Sequence, residues 1–178
     1  PPVSYIKVSG GLFRDMMIHD FDMANIIMGD APDTVMAVGS SIVDAQIGAA
    51  GDVDTAAVTL TYPDGRIAVI KNSRRAAYGY DQRIELLGSD GLLQAQHMLE
   101  NLVVKSTSAG VTGAKPQHFF LERYMPAYEA EWAAFVDAVE NGTPMPVTLA
   151  DGVQALTMAE AATMSVKDIK PVKLVEVT

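Results

Sequence analysis

A chain of 178 residues, 49% apolar and 20% charged, is long enough for one domain with a real core and has the make-up of a soluble globular protein. The net charge of -9, with basic residues scattered and only Arg74 and Arg75 adjacent, excludes a phosphate-gripping face and hence a nucleic-acid partner. The lack of cysteine excludes disulfides, thiolate chemistry and Cys-based zinc sites, and no apolar run reaches the roughly 18 residues of a membrane span.

The opening PPVSYIKVSGG lacks the charged-then-apolar layout of a signal, so the expected location is cytoplasmic. It also lacks an initiator Met. Its two prolines read as a linker into a strand, Tyr5 to Val8, and hint at residues before Pro1; simple Met removal is the plain alternative. Ser9-Gly10-Gly11 breaks the strand and launches a helix predicted from Leu12 to Met28, stopped by Gly29.

Asp33 to Val43 is β-rich, and Ala45 to Gly51 reads as a small-residue loop. Val53 to Tyr62 alternates as a strand, turns at Pro63-Asp64-Gly65 and returns over Arg66 to Arg74. Tyr80 to Leu87, Leu92 to His97 and Leu99 to Ser106 are predicted strands, and Ala109 to Pro116 a loop. Phe119 to Glu140 is predicted helical, with Pro126 splitting it or opening its second part. Thr148 is the expected N-cap of a helix from Ala150 to about Val166, with Asp151 near its positive end. Pro171 to Val175 closes the chain as an edge strand. Strands followed by helices give an α+β fold: an open, largely antiparallel (mixed) sheet of about five or six strands with helices covering one face. No repeat or composition break marks a second domain.

The first long helix is apolar almost all round, yet it carries Asp15, His19 and Asp22. At about 100° per residue these three fall within an arc of roughly 60°. Burying such groups without partners is costly, and the i, i+4 spacing lets the Asp15 carboxylate reach His19. Two readings stand. One is proton transfer, in which a neutral imidazole takes a proton from an alcohol and the carboxylate orients the ring. The other is a self-satisfied structural network with an acid near a helix N-terminus.

Residues 10–29, GGLFRDMMIHDFDMANIIMG, resemble the start of the C-terminal domain in the glucose-fructose oxidoreductase / inositol dehydrogenase (Gfo/Idh/MocA) family. AGDVDTAAVTLTYPDG (50–65), NSRRAAYGYDQRIELLGSDG (72–91), FFLERYMPAYEAEW (119–132) and DGVQAL (151–156) are similar to its myo-inositol 2-dehydrogenase branch. The resemblance implies NAD-dependent oxidation of a ring secondary alcohol. His19 is then the general base and Asp15 its relay partner, with Tyr78 or Tyr80 on substrate hydroxyls. Asp22 is then a substrate-side or helix-anchoring residue. It also implies that a separate N-terminal Rossmann domain holds the NAD, since no G-x-G-x-x-G follows a strand here. The family's catalytic Lys-Pro pair is missing too, and Lys115-Pro116 sits in a late loop. The expected partners are a polyol substrate, that N-terminal domain, and a second copy of the chain (dimer or tetramer) across an uncovered sheet face; this fragment alone is expected to be inactive. A non-catalytic sheet-dimerising module and a dehydrogenase of another sugar or polyol are the competing readings.

Of Arg74 and Arg75, at most one faces a pocket if both lie on a strand, and surface pairing is the favoured reading. Tyr128, Trp132 and Phe135 recur at helical spacing and read as core. The three histidines show no metal-ligand spacing. His97 and His118 have no acidic neighbour at helical or strand spacing and read as structural or exposed.

Overall fold

The computed structural model describes residues 1–177. The chain divides into two compact units, Pro1–Arg75 with Val147–Thr178, and Ala76–Pro146.

The first unit opens with helix α1, Val3–Ser9, where a strand is expected. Its Val, Tyr and Ile content reads as β. The ends decide otherwise: extended Pro2 caps the start, Tyr5 and Ile6 donate their N–H groups to the Pro2 carbonyl, and Gly10 stops the helix at φ 88°. The predicted long helix follows as a wide π-helical turn, Phe13–Met17, running into α2, Ile18–Met28, with Gly29 as its left-handed stop.

Strands β1 (Thr34–Ser40), β2 (Thr55–Thr61) and β3 (Ile67–Ser73) form an antiparallel meander, with Ala37 opposite Val58 and Val58 opposite Ile70. The stretch read as a loop after β1 holds a short helix, α3, Ala45–Ala49, because Asp44 caps it through the Gln46 N–H.

The second unit holds two antiparallel hairpins, β4 (Ile84–Gly88) with β5 (Gly91–Ala95) and β6 (Val104–Thr107) with β7 (Gly110–Gly113), the last where a loop is expected. Helix α4, Phe120–Asn141, runs unbroken through Pro126. Tyr128, Trp132 and Phe135 are exposed rather than core.

Back in the first unit, α5, Leu149–Asp168, begins at the expected Thr148, whose N–H donates to Asp151 at 2.7 Å. Strand β8, Val172–Lys173, pairs antiparallel with the start of β1, giving the order β3-β2-β1-β8. Where this short edge strand ends, Ser165 of α5 takes over: its hydroxyl accepts from the Ala37 N–H at 2.9 Å and donates to the Lys170 carbonyl at 2.6 Å.

One face of the sheet is covered. Val35, Ala37, Val58, Leu60 and Val172 pack with Leu12, Met17 and Phe21 of the first long helix and with Met158 and Ala162 of α5. The α5 contribution is mostly alanine, which lets the helix lie close to the strands. The other face carries exposed Val38, Ile67 and Val69. The expected α+β architecture, antiparallel with helices on one face, is the observed one; the eight strands among the described residues are four in the sheet and four in the two hairpins.

Candidate functional site

Asp15 lies at the centre of the π turn. Such turns widen a helix locally and recur at functional sites. The carboxylate does not turn to His19. Its Oδ1 accepts from the Tyr5 hydroxyl at 2.5 Å, and its Oδ2 accepts from Arg74 Nη1 at 2.8 Å. The Arg74 guanidinium reaches Asp52 with Nη2, at 3.1 Å, and Asp52 in turn accepts from the Leu12 N–H at 3.0 Å. One buried arginine, its side chain 2% exposed, is thus shared by two carboxylates from different parts of the chain. Arg74 is the interior member of the Arg pair, against the surface pairing favoured from sequence; Arg75 is exposed. The guanidinium supplies two aligned donors that an ammonium could not.

His19 opens towards solvent in the first turn of α2, with no hydrogen-bond partner among the described residues. Beside it, Asp20 accepts from the Asn72 amide at 2.9 Å. Burial pushes the Asp20 pKa up, against the Asn72 hydrogen bond and the neighbouring His19 charge, which lower it.

One turn further, Asp22 lines a polar groove of about 380 Å³ with Asn25, Asp30, Asp151 and Gln154. Both polar atoms of the Asn25 side chain are buried there without a hydrogen-bond partner.

The two candidate tyrosines belong to the second unit. Tyr78 is half exposed and donates its hydroxyl to Asp81. Tyr80 packs its ring edge-on against Tyr124 of α4, with centroids 5.7 Å apart, and donates its N–H to the Gln117 carbonyl at 2.8 Å. Gly79 separates them at φ 137°, and a side chain there would stand 2.8 Å from the Pro116 carbonyl oxygen. The backbone of this loop can take no other residue without shifting.

Local spacing misses Tyr5, Asp52, Asp20, Asp81 and His97. His97 has an acidic neighbour after all: its Nδ1 lies 3.4 Å from Asp81 Oδ1, close enough for an ion pair though without hydrogen-bond alignment. The contact is made by hairpin register, with Ile84 opposite Ala95, and not by sequence spacing.

A dinucleotide site needs a glycine-rich turn between a parallel strand and a helix. Every strand pairing among the described residues is antiparallel and no such turn exists, so these residues do not form one. Nor, among them, does any group of three acidic or histidine side chains stand ready for a metal ion.

A family model described as an oxidoreductase family, C-terminal alpha/beta domain (Gfo/Idh/MocA), matches residues 5–174. The myo-inositol 2-dehydrogenase of Thermotoga maritima is 50% identical over 177 residues, 99% of this chain and 53% of that protein. The crystal structure of a myo-inositol dehydrogenase from Corynebacterium glutamicum superposes with a TM-score of 0.93 at 39% identity, covering 98% of this chain and 52% of that one. A scyllo-inositol dehydrogenase from Lactobacillus casei, with bound NAD(H) and scyllo-inositol, gives 0.86 at 31% identity, covering 93% of this chain and 49% of that one. The chain spans about half the length of the curated relatives it matches.

Proposed function

This chain belongs to the Gfo/Idh/MocA oxidoreductase family, and from that membership we propose that the whole protein is an NAD-dependent inositol 2-dehydrogenase whose substrate wall this chain forms. The observation that carries the reading is a solvent-facing His19 with no hydrogen-bond partner among the described residues, four positions after an Asp15 whose carboxylate Arg74 holds. His19 takes the proton of the substrate hydroxyl. In this reading Asp15 is its relay partner, with the carboxylate held in place by Arg74 and Tyr5. The family resemblance alone assigns Tyr78 or Tyr80 to ring hydroxyls, and Asp22, one turn beyond His19, offers a further acceptor.

Bound NAD would supply the hydride acceptor. Its main site is assigned to an N-terminal Rossmann domain in the part of the relatives' length that this chain does not span. The named inositol dehydrogenases among the relatives support a cyclic polyol as substrate. The exposed Val38, Ile67 and Val69 support a homo-oligomer formed through the sheet.

The test is His19→Ala in the full-length protein, assayed with an inositol and NAD. Turnover should fall by about 10²- to 10⁴-fold, the usual worth of a general base, with the oligomer intact by sedimentation. Unchanged turnover removes the reading.

A further inference from the structure

The mouth of the β4–β5 hairpin gathers three polar side chains, those of Tyr78, Arg83 and His97, around the carboxylate of Asp81. Tyr78 donates its hydroxyl to Asp81 Oδ2. Arg83 donates to both oxygens of the same group, Nε to Oδ1 at 2.9 Å and Nη2 to Oδ2 at 3.0 Å. His97 faces it from beyond β5 at 3.4 Å and meets the Tyr78 ring edge-on, with centroids 5.9 Å apart. The two-pronged Arg83 contact fixes the plane of the carboxylate, and the His97 ring closes one side of the phenol.

A phenol has one proton to give and lone pairs with which to accept. Here the proton is committed. The hydrogen bonds from Arg83 and Tyr78 outweigh the burial that would raise the Asp81 pKa, so the group stays an anion and keeps accepting. The hydrogen bond to Asp81 pushes the Tyr78 pKa up, so the phenol keeps its proton. Whatever approaches the Tyr78 oxygen from solvent meets an acceptor only.

We propose that Asp81, braced by Arg83 and His97, is a positioning residue that fixes Tyr78 as a hydrogen-bond acceptor, so that this contact selects a substrate group able to donate, a hydroxyl, over one that can only accept. The proposal rests on the reading of Tyr78 as a substrate contact. It adds a polarity to that contact: the ring position held by Tyr78 must keep its O–H.

The experiment uses the full-length enzyme with inositols in which one hydroxyl at a time is replaced by hydrogen or by fluorine, a group that can accept but not donate. At the position held by Tyr78, fluorine and hydrogen should lower kcat/KM alike, by about 3- to 10-fold, and mainly through KM. Tyr78→Phe should erase that penalty at that position alone. Asp81→Ala releases the phenol proton, so the fluoro compound should then outperform the deoxy one. Asp81→Asn, which keeps an acceptor for the phenol, should restore the original pattern.

Titration of the Tyr78 phenol by NMR gives a readout independent of turnover: its pKa should fall in Asp81→Ala. A fluoro compound better than the deoxy one in the unaltered enzyme overturns the proposal, as does a pattern that ignores Asp81→Ala. If Tyr78→Phe erases no penalty, the proposal falls together with the assignment of Tyr78 to substrate. The His19→Ala result judges the dehydrogenase reading separately.

Discussion

Arg74 Nη1 stands 2.8 Å from Asp15 Oδ2, joining the last residues of the meander to the first turn of the long helix across 59 positions of sequence. The same guanidinium holds Asp52, and its side chain is almost wholly buried. Removing one partner from a buried ion network leaves the others uncompensated, which costs about 3–5 kcal/mol. Arg74→Ala should therefore destabilise the fold by that order, measured by urea unfolding. Arg74→Lys should recover only part of it, since a single ammonium does not match two carboxylates with two aligned donors. A loss below about 1 kcal/mol for Arg74→Ala would show that the network is dispensable.

Tyr5 gives the Asp15 site an alkaline limit. The hydrogen bond from its hydroxyl to Asp15, with the charge of the same carboxylate, holds the phenol pKa above its ordinary value. A group whose folded pKa is raised contributes stability that is complete below the unfolded value, about 10, and disappears as pH climbs through the folded one. Tyr5→Phe should flatten the stability profile above pH 10, read by thermal melts at a series of pH values. In Asp15→Asn the phenol absorbance of Tyr5 should titrate at lower pH than in the unaltered chain.

Asp54 behaves in the opposite sense. It is fully buried and accepts from the Val43 and Asp44 N–H groups, both at 2.9 Å, and from the Thr55 hydroxyl at 2.9 Å. Burial alone would raise its pKa; the hydrogen bonds outweigh this and hold it low. Its contribution is present above the unfolded value, about 3.9, and is lost as pH falls through the folded one. Asp54→Ala orphans those donors and should cost about 1–3 kcal/mol at pH 7. The difference from the unaltered chain should shrink as pH falls below 4. Equal acid midpoints for the two chains would contradict this.

The uncovered sheet face is tested by charge. Val69 lies opposite Thr59, and Ile67 opposite Thr61, and both are 63% exposed. Val69→Glu sits in solvent in an isolated chain and should leave its melting temperature within a few degrees. In an assembly formed through this face it buries an unpaired charge. Sedimentation of the full-length variant should then show a smaller species. An unchanged assembly size places the interface elsewhere.

The long helix and its odd polar residues were legible because they depend on a period within about 17 residues of sequence. The strand alternation and the cap at Thr148 were legible for the same local reason. The seven residues of α1 were not, since their β-forming side chains outweigh, on paper, a helix set by Pro2 and Gly10. The partners of Asp15 lay out of reach altogether: Tyr5 comes from a misread element and Arg74 from 59 residues away. His97 acquires Asp81 only once β4 and β5 are in register. Spacing identifies residues that share one helix or strand; it says nothing of those that meet when several elements fold together.

The π turn at Phe13–Met17 gives the start of the long helix one residue more than regular α winding would hold. Deleting a single residue there would restore ordinary winding and swing everything upstream, α1 and Tyr5 included, by about 100° relative to α2. Among descendants of this gene, length in that short interval should be more tightly guarded than the identity of most side chains within it.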